Sequence, residues 1–138
     1  MGFELLDHTA DIGIRVTGQT REELFENCAI GMVSLMAEPK IPPQENRQLI
    51  IRVEGTDDID LLYGFMSEVL YYFDGESFLP TEFRHSSFSE GRFITTAAGY
   101  EINEHNTEFI QEIKAVTFHG LNVWKKEGEW IASIIFDV

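Results

Sequence analysis

Two stretches of this chain place apolar residues at helical spacing, and they sit among short runs in which apolar and polar residues alternate. That mixture of periods restricts the fold to helices laid on sheet. Leu24, Cys28, Met32 and Met36 recur at four-residue steps, with Phe25, Ala29 and Val33 beside them. They form the apolar face of an amphipathic helix of about four turns. Thr20 and Glu23 precede it as a capping box, the hydroxyl accepting an orphan amide while the carboxylate reaches back. The helix stops before Pro39, because the residue preceding a proline avoids the α region. A second helix gathers Leu61, Leu62, Phe65, Met66, Val69, Leu70 and Phe73 and ends at Asp74-Gly75. Asp57, Asp58 and Asp60 lie where a helix N-terminus favours negative charge.

The alternating runs supply the strands. Residues 3–6 and 12–16 come first; in the second run Ile12, Ile14 and Val16 point one way and Gly13 and Arg15 the other. Leu49, Ile51 and Val53 mark a third strand after the stiff Pro42-Pro43 connector. Four more cover residues 81–88, 92–101, a stretch around 116–124, and 130–138, with a hairpin turn at 125–129 between the last two. Residues 103–112 show no decisive period. The expected architecture is α+β, two helices packed on a mainly antiparallel sheet in the order β-β-α-β-α-β-β-β-β. A chain of 138 residues suits one domain over 1–138.

Charge then removes several function classes. Ten Lys and Arg stand against 24 Asp and Glu, a formal net charge of -14. Binding to the nucleic-acid backbone or to an anionic membrane relies on positive charge, so neither is expected. A basic protein partner or a cation suits such a chain better. The single cysteine, Cys28, excludes an internal disulfide and Cys-rich metal knuckles and fits a reducing compartment. No apolar run reaches the roughly 18 residues of a membrane span, and no basic leader opens the chain. Leu6 stands where a myristoylated terminus needs Ser or Thr. A cytoplasmic, soluble protein is expected.

Phosphate-binding glycine loops, HExxH, GxSxG and EF-hand loops are all missing from the sequence. His8, His85, His105 and His119 lack zinc-ligand spacing and read as structural or exposed residues. Cys28, on the apolar helix face, reads as core. Phe93 and Tyr100 read as core rather than as a base-stacking platform, since few basic residues accompany them.

Two polar places stand out. Residues 7–11, Asp-His-Thr-Ala-Asp, are wedged between apolar strands, where a hairpin turn is the ordinary explanation. The other place is the end of the last strand, Ile134 to Val138. If the 12–16 strand lies antiparallel beside 130–137, about 4.8 Å away, Asp11, Asp137 and the Val138 carboxylate share one neighbourhood. Bare, such a cluster is unfavourable: two like charges about 4 Å apart repel by about 4 kcal/mol at an effective dielectric near 20. A hard cation with oxygen ligands, Ca²⁺ or Mg²⁺ rather than zinc, reverses that sign. Lys114 is a third candidate, one of four lysines; a surface pair with Glu112 or Glu108 is its ordinary explanation.

The same segments resemble the archease family. The resemblance is carried by His8-Thr9-Ala10-Asp11-Ile12-Gly13-Ile14, by Glu22-Glu23-Leu24-Phe25 running into Gly31-Met32, by the 61–70 stretch, by Glu112-Ile113-Lys114-Ala115-Val116-Thr117-Phe118-His119-Gly120-Leu121, and by Phe136-Asp137-Val138. It spans the chain in order; Phe118 stands where the family more often has Tyr, which affects only a hydroxyl contact. The resemblance implies a non-enzymatic activator of the tRNA-splicing RNA ligase, the enzyme that joins a 2′,3′-cyclic phosphate or 3′-phosphate end to a 5′-hydroxyl end. It implies promotion of guanylylation of the ligase's active-site histidine, repeated turnover, and a broader choice of nucleoside triphosphate. It further implies a divalent metal site, calcium in the usual description, at Asp11, Asp137 and Val138, and a role in activation for Lys114 and Asp11. Two alternatives stay open. One is a metal-dependent hydrolase around Asp11 and Asp137, with only His8 and His119 as possible general bases. The other is a general chaperone-like binding module, which calls for an exposed apolar patch.

Overall fold

The computed structural model describes residues 2–6 and 11–138, with Leu6 described by its backbone alone. Along the chain run β1 (Gly2–Leu6), β2 (Asp11–Gly18), α1 (Arg21–Met36), β3 (Ala37–Pro39), β4 (Arg47–Glu54), α2 (Asp58–Glu76), β5 (Phe78–Ser89), β6 (Arg92–Glu101), β7 (Thr107–Phe109), β8 (Ala115–Val116), β9 (Asn122–Lys126) and β10 (Glu129–Asp137). The α+β order expected from the sequence holds for the main elements. Two short strands are added: β3 and β7 pair with each other, Ala37 opposite Phe109 and Pro39 opposite Thr107. Three residues are too few to display a period.

Every ladder is antiparallel. One sheet runs β1-β2-β10-β8, with β9 lying on β10 as well; another runs β4-β6-β5. The stretch read as one strand over 116–124 is divided. Val116 pairs with Phe136, the Asn122–Lys126 strand pairs with residues 129–133, and the chain leaves β10 in between. Hydrogen bonds flank the break. Thr117 turns both its N–H (3.0 Å) and its hydroxyl (2.9 Å) to the Ile135 carbonyl. The Ser133 hydroxyl then donates to the Gly120 carbonyl at 3.1 Å. The expected hairpin after β9 is a two-residue turn with positive φ at Glu127 (52°) and Gly128 (80°), matching the right-handed twist of its strands.

Each helix touches both main sheets: α1 packs on β2, β10 and β5, α2 on β4, β5, β6 and β8. Gly31 and Val33 of α1 are therefore buried together with Leu24, Phe25, Cys28, Ala29, Met32 and Met36. Thr20 Oγ1 accepts the Glu23 N–H at 3.0 Å, while Glu23 reaches back to the Gln19 N–H at 3.3 Å. At α2, Asp57 accepts the Asp60 N–H at 2.8 Å. That helix runs to Glu76, slightly beyond Asp74-Gly75, because Ser77 adopts the left-handed conformation (φ 53°) and bonds back to Tyr72. Phe25, Phe65, Phe88 and Phe93 meet at the centre, with Phe25–Phe93 centroids 4.9 Å apart and Phe65–Phe93 5.0 Å apart. Tyr100 is buried too, its hydroxyl 2.9 Å from Thr107 Oγ1. The core reading of Phe93 and Tyr100 holds.

Candidate functional site

The site begins with a register. β10 lies antiparallel to β2 with Phe136 opposite Ile12 and Asp137 opposite Asp11. Directly opposed residues of an antiparallel pair project to the same face. Phe136 is fully buried, so alternation turns Asp137, and Asp11 with it, away from the core. On the other edge of β10, Ala115 opposes Asp137, and the Lys114 N–H donates to the Asp137 carbonyl at 2.7 Å. Three neighbouring chain segments thus bring Asp11, Asp137 and Lys114 to one end of one sheet. The Val138 side chain is half-buried against the core beside them.

Among the described residues, no three His, Cys, Asp or Glu side chains gather as a metal cluster. Among the described residues, Asp11 and Asp137 are the side-chain carboxylates that the β2–β10 register places opposite each other at this sheet end. As hard oxygen donors they suit Ca²⁺ or Mg²⁺, which take oxygen ligands and complete their shells with carbonyls and water. His8 lies outside the described residues, as do residues 7–10 of the turn reading. His119 stands exposed in the 117–121 loop, its carbonyl 3.1 Å from Thr117 Oγ1 and sharing that hydroxyl's one proton with the nearer Ile135 carbonyl. His85 and His105 are exposed, apart from the sheet end.

Lys114 makes no ion pair among the described residues, so the pair expected with Glu112 or Glu108 does not form. Instead it lines a groove of about 430 Å³ with Tyr63, Ser67, Tyr71 and Asp74 of α2. No motif in the sequence marks Tyr63, Ser67 or Tyr71, and Asp74 reads there only as the end of the helix. Their spacing of four, four and three places them on one face, flanking the apolar stripe, whose Leu70 also lines the groove. Phe118 closes the neighbourhood by packing on Tyr63, with centroids 4.8 Å apart. The ring contact needs no hydroxyl.

Cys28 is fully buried and burial pushes its thiol up, so it has no nucleophilic character near neutral pH. No helix among the described residues is long and apolar enough to cross a membrane.

These features define a small acidic α+β protein whose candidate site occupies the end of a sheet rather than the interior of the fold. The chain belongs to the archease family, whose profile matches residues 3–138. Protein archease of Methanosarcina barkeri is 35% identical over 141 residues, covering 99% of this chain and 95% of that protein. Protein archease of Thermoplasma acidophilum is 36% identical over 138 residues, covering 100% and 94%. A Methanobacterium thermoautotrophicum protein solved in solution superposes with a TM-score of 0.81 at 35% identity, covering 99% of each chain. A Thermotoga maritima crystal structure, described as an archease and possible chaperone, shares the fold with a TM-score of 0.66 at 20% identity, covering 96% of this chain and 94% of that one.

Proposed function

We propose that this protein is a non-enzymatic, cytoplasmic activator of the tRNA-splicing RNA ligase, promoting guanylylation of the ligase's active-site histidine and its repeated turnover. The observation that carries the reading is the pairing of Asp11 with Asp137 beside the Lys114 amide, in a chain of the archease family. In this reading Asp11 and Asp137, with Val138 beside them, hold a divalent cation, calcium first among candidates. When bound, that cation offsets the mutual repulsion of the carboxylates and holds the ends of β2 and β10 together. Lys114 contributes a positive charge on the adjoining segment, free of any intramolecular partner among the described residues, and so available to an acidic group of the ligase or its nucleotide. The net charge of -14 favours contact with a basic enzyme over contact with RNA.

The test is ligase guanylylation and multiple-turnover joining with and without this protein, beside a control lacking the ligase. Stimulation that needs Lys114 supports the reading. Hydrolysis without the ligase would transfer the site to the metal-dependent hydrolase alternative, and equal protection of unrelated unfolded proteins would favour the chaperone-like one.

A further inference from the structure

We propose that the surface running from Phe109 across Asp74 to Phe118 is the docking groove for the protein partner, and that it receives a segment carrying Arg or Lys between apolar side chains. The inference rests on the activator reading above and assigns the contact surface. Tyr71 (59% exposed), Phe109 (64%), Ile110 (56%) and Phe118 (53%) all border it. Two hollows make up the groove. The first, of about 320 Å³, lies between Phe73 and the 109–113 segment; the second, of about 430 Å³, lies between α2 and Lys114 to Val116. Asp74 lines both and forms the ridge between them. The 109–111 segment is fastened to the end of α1, Ile110 N–H donating to the Met36 carbonyl at 2.8 Å. The groove is therefore preformed, which limits the ordering cost of binding.

Charge complementarity identifies the occupant. Burial, and then the charge of Glu112, raise the carboxyl of Asp74 above its ordinary range. Neither Asp74 nor Glu112 has a cationic partner within ion-pair distance among the described residues, and Lys114, which lines the far side of the second hollow, leaves the Asp74 ridge uncompensated. An arginine or lysine entering at the ridge relieves that repulsion with charge-assisted hydrogen bonds, and its aliphatic stem covers Tyr71. Flanking apolar side chains fill the two hollows. A nucleic-acid strand does not fit, since its phosphates would meet Asp74 and Glu112.

The experiment titrates purified RNA ligase with the wild type, Asp74→Lys, Glu112→Lys, the double variant Tyr71→Ser/Phe109→Ser, and Ile50→Ser as an exposed apolar control on β4, with circular dichroism confirming each fold. Expected is a rise of about tenfold or more in the concentration giving half-maximal stimulation for the groove variants, with the plateau restored at saturation and Ile50→Ser unchanged. Half-maximal concentrations within about twofold of wild type would overturn the groove while leaving the activator reading intact. A wild type that neither binds nor stimulates the ligase would remove both together. A wild-type dimer that Asp74→Lys dissociates would assign the face to self-association and overturn the proposal.

Discussion

Asp137 faces Asp11 across the β2–β10 ladder and at the same residue accepts the Lys114 amide through its carbonyl, at 2.7 Å. One residue of β10 thereby ties the carboxylate pair to the lysine segment. A substitution that alters only the Asp137 side chain leaves that backbone bond in place, so the proposed metal and lysine contributions are separable. Asp137→Asn and Asp11→Asn are each expected to weaken Ca²⁺ binding by about tenfold or more, because a neutral amide is a poorer partner for a hard cation. The metal-free fold should keep its stability or gain slightly as carboxylate repulsion falls. Calorimetric Ca²⁺ titration with thermal melts in chelator reads both, and unchanged affinity in both variants would leave the sheet end without a metal role.

Lys114 is exposed and unpaired among the described residues. Lys114→Ala should change unfolding free energy by about 0.5 kcal/mol or less, yet lower the plateau of ligase stimulation. Denaturant unfolding beside the guanylylation assay checks it. Full stimulation by the folded variant would return Lys114 to ordinary surface duty.

Direct tRNA binding by the isolated protein should be weak and nearly independent of salt at physiological ionic strength. With 10 basic residues against 24 acidic ones, few phosphates can be neutralised and few counterions released. Filter binding across a salt series measures this, and tight binding that falls steeply with salt would contradict it.

Gly99 tests the packing of the second sheet. It pairs with Pro80 in β5 and with Arg47 in β4. A Cβ at this position would lie 2.0 Å from the Leu79 carbonyl oxygen and 2.8 Å from Pro80 Cα. Both obstacles are backbone and cannot swing aside. Gly99→Ala should cost about 3 kcal/mol or more, at or beyond the upper end of ordinary overpacking. A urea midpoint close to wild type would show that β5 has room to retreat.

The legible parts of this molecule were those with a period. Leu24, Cys28, Met32 and Met36 announced α1, and the alternation in β2 and β10 was enough to suggest the register that opposes Asp11 to Asp137. What stayed hidden had physical reasons. The break between β8 and β9 leaves no mark in β-propensity, since Thr117, whose hydroxyl reaches the Ile135 carbonyl at the break, is itself a good strand former. Strands β3 and β7 are too short to alternate. The groove beside Lys114 combines Tyr71 of α2 with Phe109 and Phe118 from distant sequence, and tertiary folding alone makes them neighbours. The pairing of Asp11 with Asp137 followed from alternation, whereas the activation role proposed for Lys114 came from resemblance alone; spacing offered only a surface pair that the structure does not form.

Glu26 supplies a pH-dependent prediction away from the site. Its carboxylate accepts the Ser86 hydroxyl at 2.5 Å, and Ser86 Oγ lies 2.7 Å from that of Thr95, itself buried. Burial raises the Glu26 carboxyl above its ordinary value, the Ser86 bond opposes that, and the charges of Glu23, Glu22 and Glu82 add to it. A carboxyl whose folded value exceeds its unfolded one, about 4.3 for a free glutamate, retains a proton in the native state that the unfolded chain has lost. Its contribution to stability is therefore most favourable below that unfolded value. It declines as pH rises through the folded value and then stays constant. Once Glu26 is protonated the hydroxyl chain can reverse, Glu26 donating to Ser86 and Ser86 to Thr95, so no hydrogen bond is lost. Glu26→Gln keeps the shape and removes the titration. It should be more stable than wild type near pH 7, with the advantage shrinking as pH falls toward 4. Urea unfolding of both proteins across that range is the measurement; an advantage that stays constant with pH would show that Glu26 is already solvated in the folded state.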